Sequence, residues 1–202
     1  MPLAAQIEAG PGRIRREGVE PAAPCVASGQ GAVENLVAHR GAGSQMVRMP
    51  HAERALQWIE RRLHAGNGWV RYQRTHDKGL ENQGWKASLD GVSFPDGTIA
   101  PPLIALIEVQ GYVVGALEAM AMLARVTGDE RRAERLRVQA DALRRRIHED
   151  FWVRETGFYA LAIDGLGRQV PTLTSNPGHL LFVDGVPRDR AARLVDVLLS
   201  EG

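Results

Sequence analysis

Cysteine is almost missing from this chain: Cys25 is the single one in 202 residues. One thiol excludes an intramolecular disulfide framework, and a reducing compartment is the simplest setting. Net charge is also nearly missing, with 25 basic against 24 acidic residues. That balance argues against a nucleic-acid protein held by bulk charge. The sequence has no CxxC pair and no HExxH, so a structural or zincin-type zinc site is not expected, and no other metal or cofactor is implied. It also lacks a P-loop, a dinucleotide-binding glycine fingerprint and a nucleophile elbow, the usual markers of nucleotide and α/β-hydrolase chemistry. No apolar run reads as a membrane span, and MPLAAQIEAGPGRIRREG lacks the compact apolar stretch of a secretory signal. The expectation is a soluble cytoplasmic protein with no membrane or nucleic-acid partner.

What is present suffices for one domain. Apolar residues make up 44% of the chain, enough for a sizeable core. Residues 1–48 differ from the rest, being rich in Gly, Ala, Pro and scattered charge. They read as a poorly ordered or unrelated arm. Order is expected from about residue 49 to 202.

The ordered part reads as helices joined by unusual loops. HAERALQWIERRLH (51–64) places Ala55, Leu56, Ile59 and Leu63 on one helical face, with Trp58 flanking it. AGNG (65–68) stops it, and WVRYQR (69–74) alternates like a short extended segment. LIALIEVQGYVVGALEAMAMLARVTG (103–128) predicts a buried helix of about six or seven turns. Asp129 is placed to cap a helix over about 130–149, with Ala133, Leu136, Ala140, Leu143 and Ile147 inward. The arginines of RRAERLRVQADALRRRI alternate with acids, as on a solvated helix face. FYALAI is β-prone and lies between turns at ETG and DGLG. PRDRAARLVDVLLS (187–200) predicts a last helix.

The loops carry the candidate chemistry. GLENQGWKASLDG (79–91) sets Asn82, Gln83, Trp85, Lys86 and Asp90 between glycines. Side-chain amides offer paired donors and acceptors, and an indole offers a flat apolar face; a polyol needs both. The same run also reads as an ordinary loop whose amides cap its own turns. Glu108, Gln110 and Tyr112 crowd the start of the long apolar helix. A carboxylate there is costly to bury unless it is paired or faces a wet cavity. Tyr112 can share the face of Glu108, four residues earlier, whereas Gln110 diverges from it. His179 in TSNPGHLLF (174–182) reads either as a hydrogen-bond donor to a ligand or as a satisfied structural residue.

These segments, HAERALQWIE, GWVRYQR, GLENQGWKASLDG, DGTIAPPLIALIEVQGYVVGAL and TSNPGHLLF, resemble in that order the catalytic domain of the amylo-α-1,6-glucosidase and glycogen-debranching-like family, over roughly residues 50–202. The resemblance implies an all-α fold, a partial (α/α)6 toroid of helical hairpins with short β-turn insertions. It implies inverting hydrolysis of α-linked glucosides by two carboxyl groups on opposite sides of the scissile bond. The family run resembles NQGWKDSxD, whose first aspartate is the implied general acid; here that position is Ala87, which has no proton to give. Asp90 remains as a weak catalytic candidate, and the implied general base is expected beyond Gly202.

The expected function is therefore a glycoside hydrolase-like domain that acts on or binds an α-glucan or oligosaccharide, without activity as this chain stands. Asn82, Gln83, Trp85, Lys86, Asp90, Glu108, Gln110 and His179 are the expected sugar contacts. An open barrel edge implies self-association. The alternative is a non-catalytic helical scaffold in which the loops only tie hairpins together. RNA binding through the arginines is a distant third, with strong salt dependence as its signature.

Overall fold

The computed structural model of the chain describes residues 42–86, 88–183 and 186–200. Residues 1–41 of the expected 1–48 arm, and Ala87, lie outside the described residues, while residues 42–48 of that arm belong to a helix. Among the described residues four α-helices carry the architecture: α1 (Ala42–Ala65), α2 (Ile107–Val126), α3 (Glu130–Asp150) and α4 (Arg188–Leu199). Between them run five two-residue strands: β1 (Ala105–Leu106), β2 (Trp152–Val153), β3 (Phe158–Tyr159), β4 (Ala162–Ile163) and β5 (Gln169–Val170). A 3-10 turn over Asn176–Phe182 precedes α4. The fold is mostly helical with two small antiparallel sheets, as a partial helical toroid requires.

The best-specified piece is the α2–α3 hairpin. All five residues of the predicted α3 stripe, Ala133, Leu136, Ala140, Leu143 and Ile147, are buried. Asp129 caps α3 by accepting from the Arg132 N–H at 3.0 Å. Gly128 takes a left-handed conformation, φ 83°, that lets α2 end and the chain reverse. Against the hairpin pack Leu56 and Leu63 of α1, Trp69, Phe151, Phe158, Tyr159 and Leu194 of α4.

Three helix expectations need correction. The first helix begins at Ala42, nine residues before His51, and passes through Pro50. On its inner face Ala55 is exposed, and Ala52 packs on the core instead. The long helix starts at Ile107, because Ala105 and Leu106 form a strand opposite Ile163 and Ala162. A continuous apolar run has no period by which a buried strand can be told from a buried helix. α2 is long and apolar enough to cross a bilayer by length and composition, contrary to the expectation of no such run. Half of it is buried within the protein, so its apolar surround is accounted for by packing.

The sheets fix where the loops end. β4 lies between β1 and β5, pairing Ala162 with both Leu106 and Val170. Trp152 and Val153 pair with Tyr159 and Phe158 around the expected ETG turn. A second small core of Val92, Ala100, Ile104, Leu106, Leu161, Ala162 and Val170 ties the loop after residue 91 to this sheet. β1 runs straight into α2, so the pairing of Leu106 sets the position of Glu108 two residues later. Arg190 of α4 donates to the His148 carbonyl at 2.5 Å and stacks 4.4 Å from the Trp152 ring.

One ion pair joins α1 to α3. Arg132 holds Glu53 with both side chains about a quarter exposed. The hydrogen bond from Arg132 lowers the Glu53 pKa below 4.5. A depressed carboxylate pKa stabilises the fold above its unfolded value and loses that contribution as pH falls through the folded value. Glu53→Gln is expected to lower the denaturation midpoint at neutral pH. The gap to the parent chain should close once pH falls well below 4.5, in parallel urea melts across that range.

Candidate functional site

The site is built around one carboxylate. Glu108 stands in the first turn of α2 and is 1% exposed. Its Oε1 accepts from the Asn176 side-chain amide at 2.9 Å and from the Trp85 backbone N–H at 3.3 Å. Asn176, itself 1% exposed, opens the 3-10 turn. Glu108 thus joins α2 to two loops, one 23 and one 68 residues away in sequence. Among the described residues its Oε2 has no hydrogen-bond partner, and neither have Asn176 Oδ1 and Thr174 Oγ1. An unpaired buried polar atom is expensive, so these atoms call for donors that the described residues do not supply.

Glycines let these elements close up. A Cβ on Gly84 would stand 2.1 Å from Leu106 Cδ1 and 3.0 Å from Glu108 Oε1. A Cβ on Gly111 would stand 2.9 Å from Leu180 Cδ2, so the 3-10 turn also packs directly on α2. This is where the glycine-punctuated loop earns its spacing.

Three aromatic rings, of Trp85, Tyr112 and Phe182, gather around His179. Trp85 is 67% exposed, and its ring lies 5.0 Å from the His179 ring. His179 also meets Tyr112 edge-on at 5.7 Å and Phe182 at 6.0 Å. The Tyr112 hydroxyl and His179 Nδ1 are 2.5 Å apart. Burial, and then the charge of Glu108, raise the Tyr112 pKa, so its hydroxyl keeps its proton. The hydroxyl can donate to Nδ1 or accept from it according to the tautomer of His179, and in the tautomer in which Tyr112 donates the outer ring nitrogen is a donor.

The remaining candidates divide. Asn82 is buried and clamps the loop on itself: it donates to the Ser88 carbonyl and, at 3.3 Å, to that of Leu89. It accepts from the Tyr72 hydroxyl at 3.0 Å. Burial pushes the Tyr72 pKa up to about 12, with Glu108 adding to the rise. Gln83 is exposed and ties the loop's stems by donating to the Gln73 carbonyl at 3.2 Å. Lys86 is half-buried, and no carboxylate pairs with it among the described residues. Asp90 is exposed on the turn closed by the Gly91 N–H on the Ser88 carbonyl. Gln110 is fully buried; it bonds both backbone groups of Val70, at 3.0 and 2.9 Å, and the Leu106 carbonyl at 2.9 Å. It offers nothing to solvent and serves as a strut between α2 and the segment after α1.

Trp85, Glu108 and His179 are therefore brought together, while Asn82, Gln83 and Gln110 hold the loops that present them. Asn176 and the rings of Tyr112 and Phe182 complete the group, and the sequence reading did not place them in the site. The signal available was SNPG, where an asparagine opens a turn beside the chosen histidine. A separate cleft of about 570 Å³ between α1 and α3, lined by Glu60, His64, Gln139 and Arg146 among others, contains none of these residues.

A helical-hairpin domain whose loops bring a buried carboxylate and a cluster of aromatic rings onto neighbouring segments has the composition of a carbohydrate site. Residues 50–202 match the family model described as mannosylglycerate hydrolase MGH1-like glycoside hydrolase domain. That is most of the chain, and the chain belongs to this six-hairpin glycosidase family. The glycoside hydrolase-like domain expected from the sequence stands; the narrower amylo-α-1,6-glucosidase assignment is not the one the family model gives. No curated protein matches the chain.

Two substitutions separate positioning from structure. Gly84→Ala should displace the loop from Glu108, shift Trp fluorescence and cost about 1–3 kcal/mol by overpacking against Leu106. Gln110→Leu should strand the buried backbone groups of Val70 and cost roughly 2–4 kcal/mol in chemical denaturation, with little change in the emission of Trp85.

Proposed function

We propose that this chain binds a glycosyl unit of an α-linked oligosaccharide at the Glu108 site, and that it does so without hydrolysing it. The observation that carries the reading is the Oε2 of Glu108, unpaired among the described residues as Asn176 Oδ1 is, on segments that also gather the rings of Trp85, Tyr112, His179 and Phe182. Sugar hydroxyls are donors that such oxygens lack, and the apolar face of a pyranose stacks on an indole. His179 supplies a donor for a hydroxyl lone pair. Lys86 and Asp90 stand at the same loop and contact outer hydroxyls.

Inverting hydrolysis needs a general acid on the leaving oxygen. The position that the family resemblance assigns to that acid is Ala87, which lies outside the described residues and carries a methyl group. In this reading the chain keeps the grip on sugar and lacks the proton. The substrate class comes from the α-glucosidase resemblance, while the matched family's description names a mannosylglycerate hydrolase. Both ligands present a glycosyl ring with vicinal hydroxyls, and that ring is what the Glu108 site reads. The reading keeps the expectation of a soluble cytoplasmic chain with no cofactor.

Titration of the full chain with maltose, isomaltose, panose and mannosylglycerate, followed by tryptophan emission, tests it. At least one sugar should give a saturable shift. Trp85→Ala should weaken binding, read by calorimetry, by about threefold to tenfold, the range of one aromatic contact. No reducing sugar should be released. Absence of binding to a folded chain would support the scaffold reading instead, and steady glucose release would refute the inactive one.

A further inference from the structure

The arginines of α3 are sorted by partner. Along one flank Arg137 pairs with Glu134 and Asp141, and Arg144 pairs with Asp141 and with Glu118 of α2. Acids that alternate with arginine in the sequence are taken up there. The outward stripe, Arg131, Arg135, Val138, Ala142 and Arg145, follows at steps of four and three, opposite the buried Ala133, Leu136, Ala140 and Ile147. Its arginines are exposed, and no carboxylate pairs with them among the described residues. α1 carries a second such stripe, opposite Leu56 and Leu63. Arg54, Trp58 and Arg61 are exposed on it, and Arg62 lies 5.3 Å from the Trp58 ring. No carboxylate pairs with these arginines either among the described residues. Glu60 and Glu149 are the opposing charges on this face.

The two stripes flank the cleft of about 570 Å³. The paired Glu53 and Arg132 are 79 residues apart. Glu60 and Gln139, which both line the cleft, keep that separation, as do Asn67 and Arg146, so α1 and α3 run parallel with their outward faces on one surface. Leu63, Ala142 and Leu143 give the cleft its apolar part. The Glu53–Arg132 pair bridges the helices at one end, and at the other Arg146 is pinned 4.3 Å from the Trp69 ring. We propose that this groove docks an amphipathic helical segment of a partner protein, with apolar side chains in the cleft and carboxylates on both arginine stripes. Helices dock in such grooves by anchors one turn apart, and complementary charge at the rim sets partner choice. From Glu53 to Asn67 the groove runs about 21 Å, room for about four helical turns. A nucleic-acid strand or an anionic bilayer would meet the arginines and leave the apolar part unused. The chain's net charge of +1 also gives a polyphosphate little long-range attraction. None of these residues belongs to the Glu108 site, so the proposal is independent of sugar binding.

The probe is a helical peptide of about 15 residues with leucines one turn apart along one face and glutamates on both flanks. Titrated onto the full chain and followed by calorimetry, it should bind one to one and more weakly as salt is raised. Arg61→Glu combined with Arg135→Glu should weaken it by about tenfold or more. Ala142→Phe, which fills the cleft without changing charge, should weaken it by a similar factor. A peptide with lysine flanks should not bind. If a peptide with serines in place of the leucines binds as tightly as the probe, the cleft is not read and the proposal falls. It falls equally if oligothymidylate or phosphatidylserine vesicles bind more tightly than the probe, or if the probe does not bind a folded chain. The peptide series on the parent chain decides alone should Ala142→Phe not fold.

Discussion

The placement of one buried carboxylate governs the rest of this molecule's functional end. Glu108 is far from solvent, and a carboxylate so buried must be held by donors or the fold loses several kcal/mol. Two donors arrive, from Trp85 and Asn176, each from a different loop. The same oxygen takes both bonds. The site is thus assembled and left half-satisfied in one arrangement. Stability alone would be better served by an apolar side chain; retention of an unpaired oxygen beside exposed rings fits recognition.

Everything that surrounds Glu108 sets its coordinates. The β1–β4 pairing fixes the residue before the helix, the Gln110 strut fixes the first turn of α2 against Val70, and Asn82 folds the loop that carries Trp85. Gly84 and Gly111 permit backbone approaches that any larger residue would block. None of these residues needs to touch a sugar. They resemble the supports of a rigid binding constellation, in which outer residues hold the contacting ones in place.

Local pattern carried part of this in the sequence. The α3 stripe and its Asp129 cap depend on residues within a few turns of each other, and both are found as read. Trp85, Glu108 and His179 could be singled out among eight candidates from the loop's composition and the cost of a carboxylate in an apolar helix, but which of the eight meet could not be read without a fold. What was not readable depends on distant pairing. Leu106 belongs to a strand only because Ala162 meets it, and an apolar run cannot announce that. Gln110 looked like a ligand group because its partners on Val70 lie 40 residues away. Asn176 was passed over for His179 because its partner lies 68 residues back. That position 87 carries an alanine, with no proton to give, is plain from identity alone.

The central claim is that Glu108 and its two loops form one sugar site. The most direct test is a pair of amide and indole NMR spectra, with and without isomaltose. The account predicts that the Asn176 side-chain amide and the Trp85 indole and backbone N–H signals move together with one saturation curve, while the Trp58 indole on α1 stays in place. Signals that move only around the cleft between α1 and α3, or Trp85 moving while Asn176 does not, would contradict it.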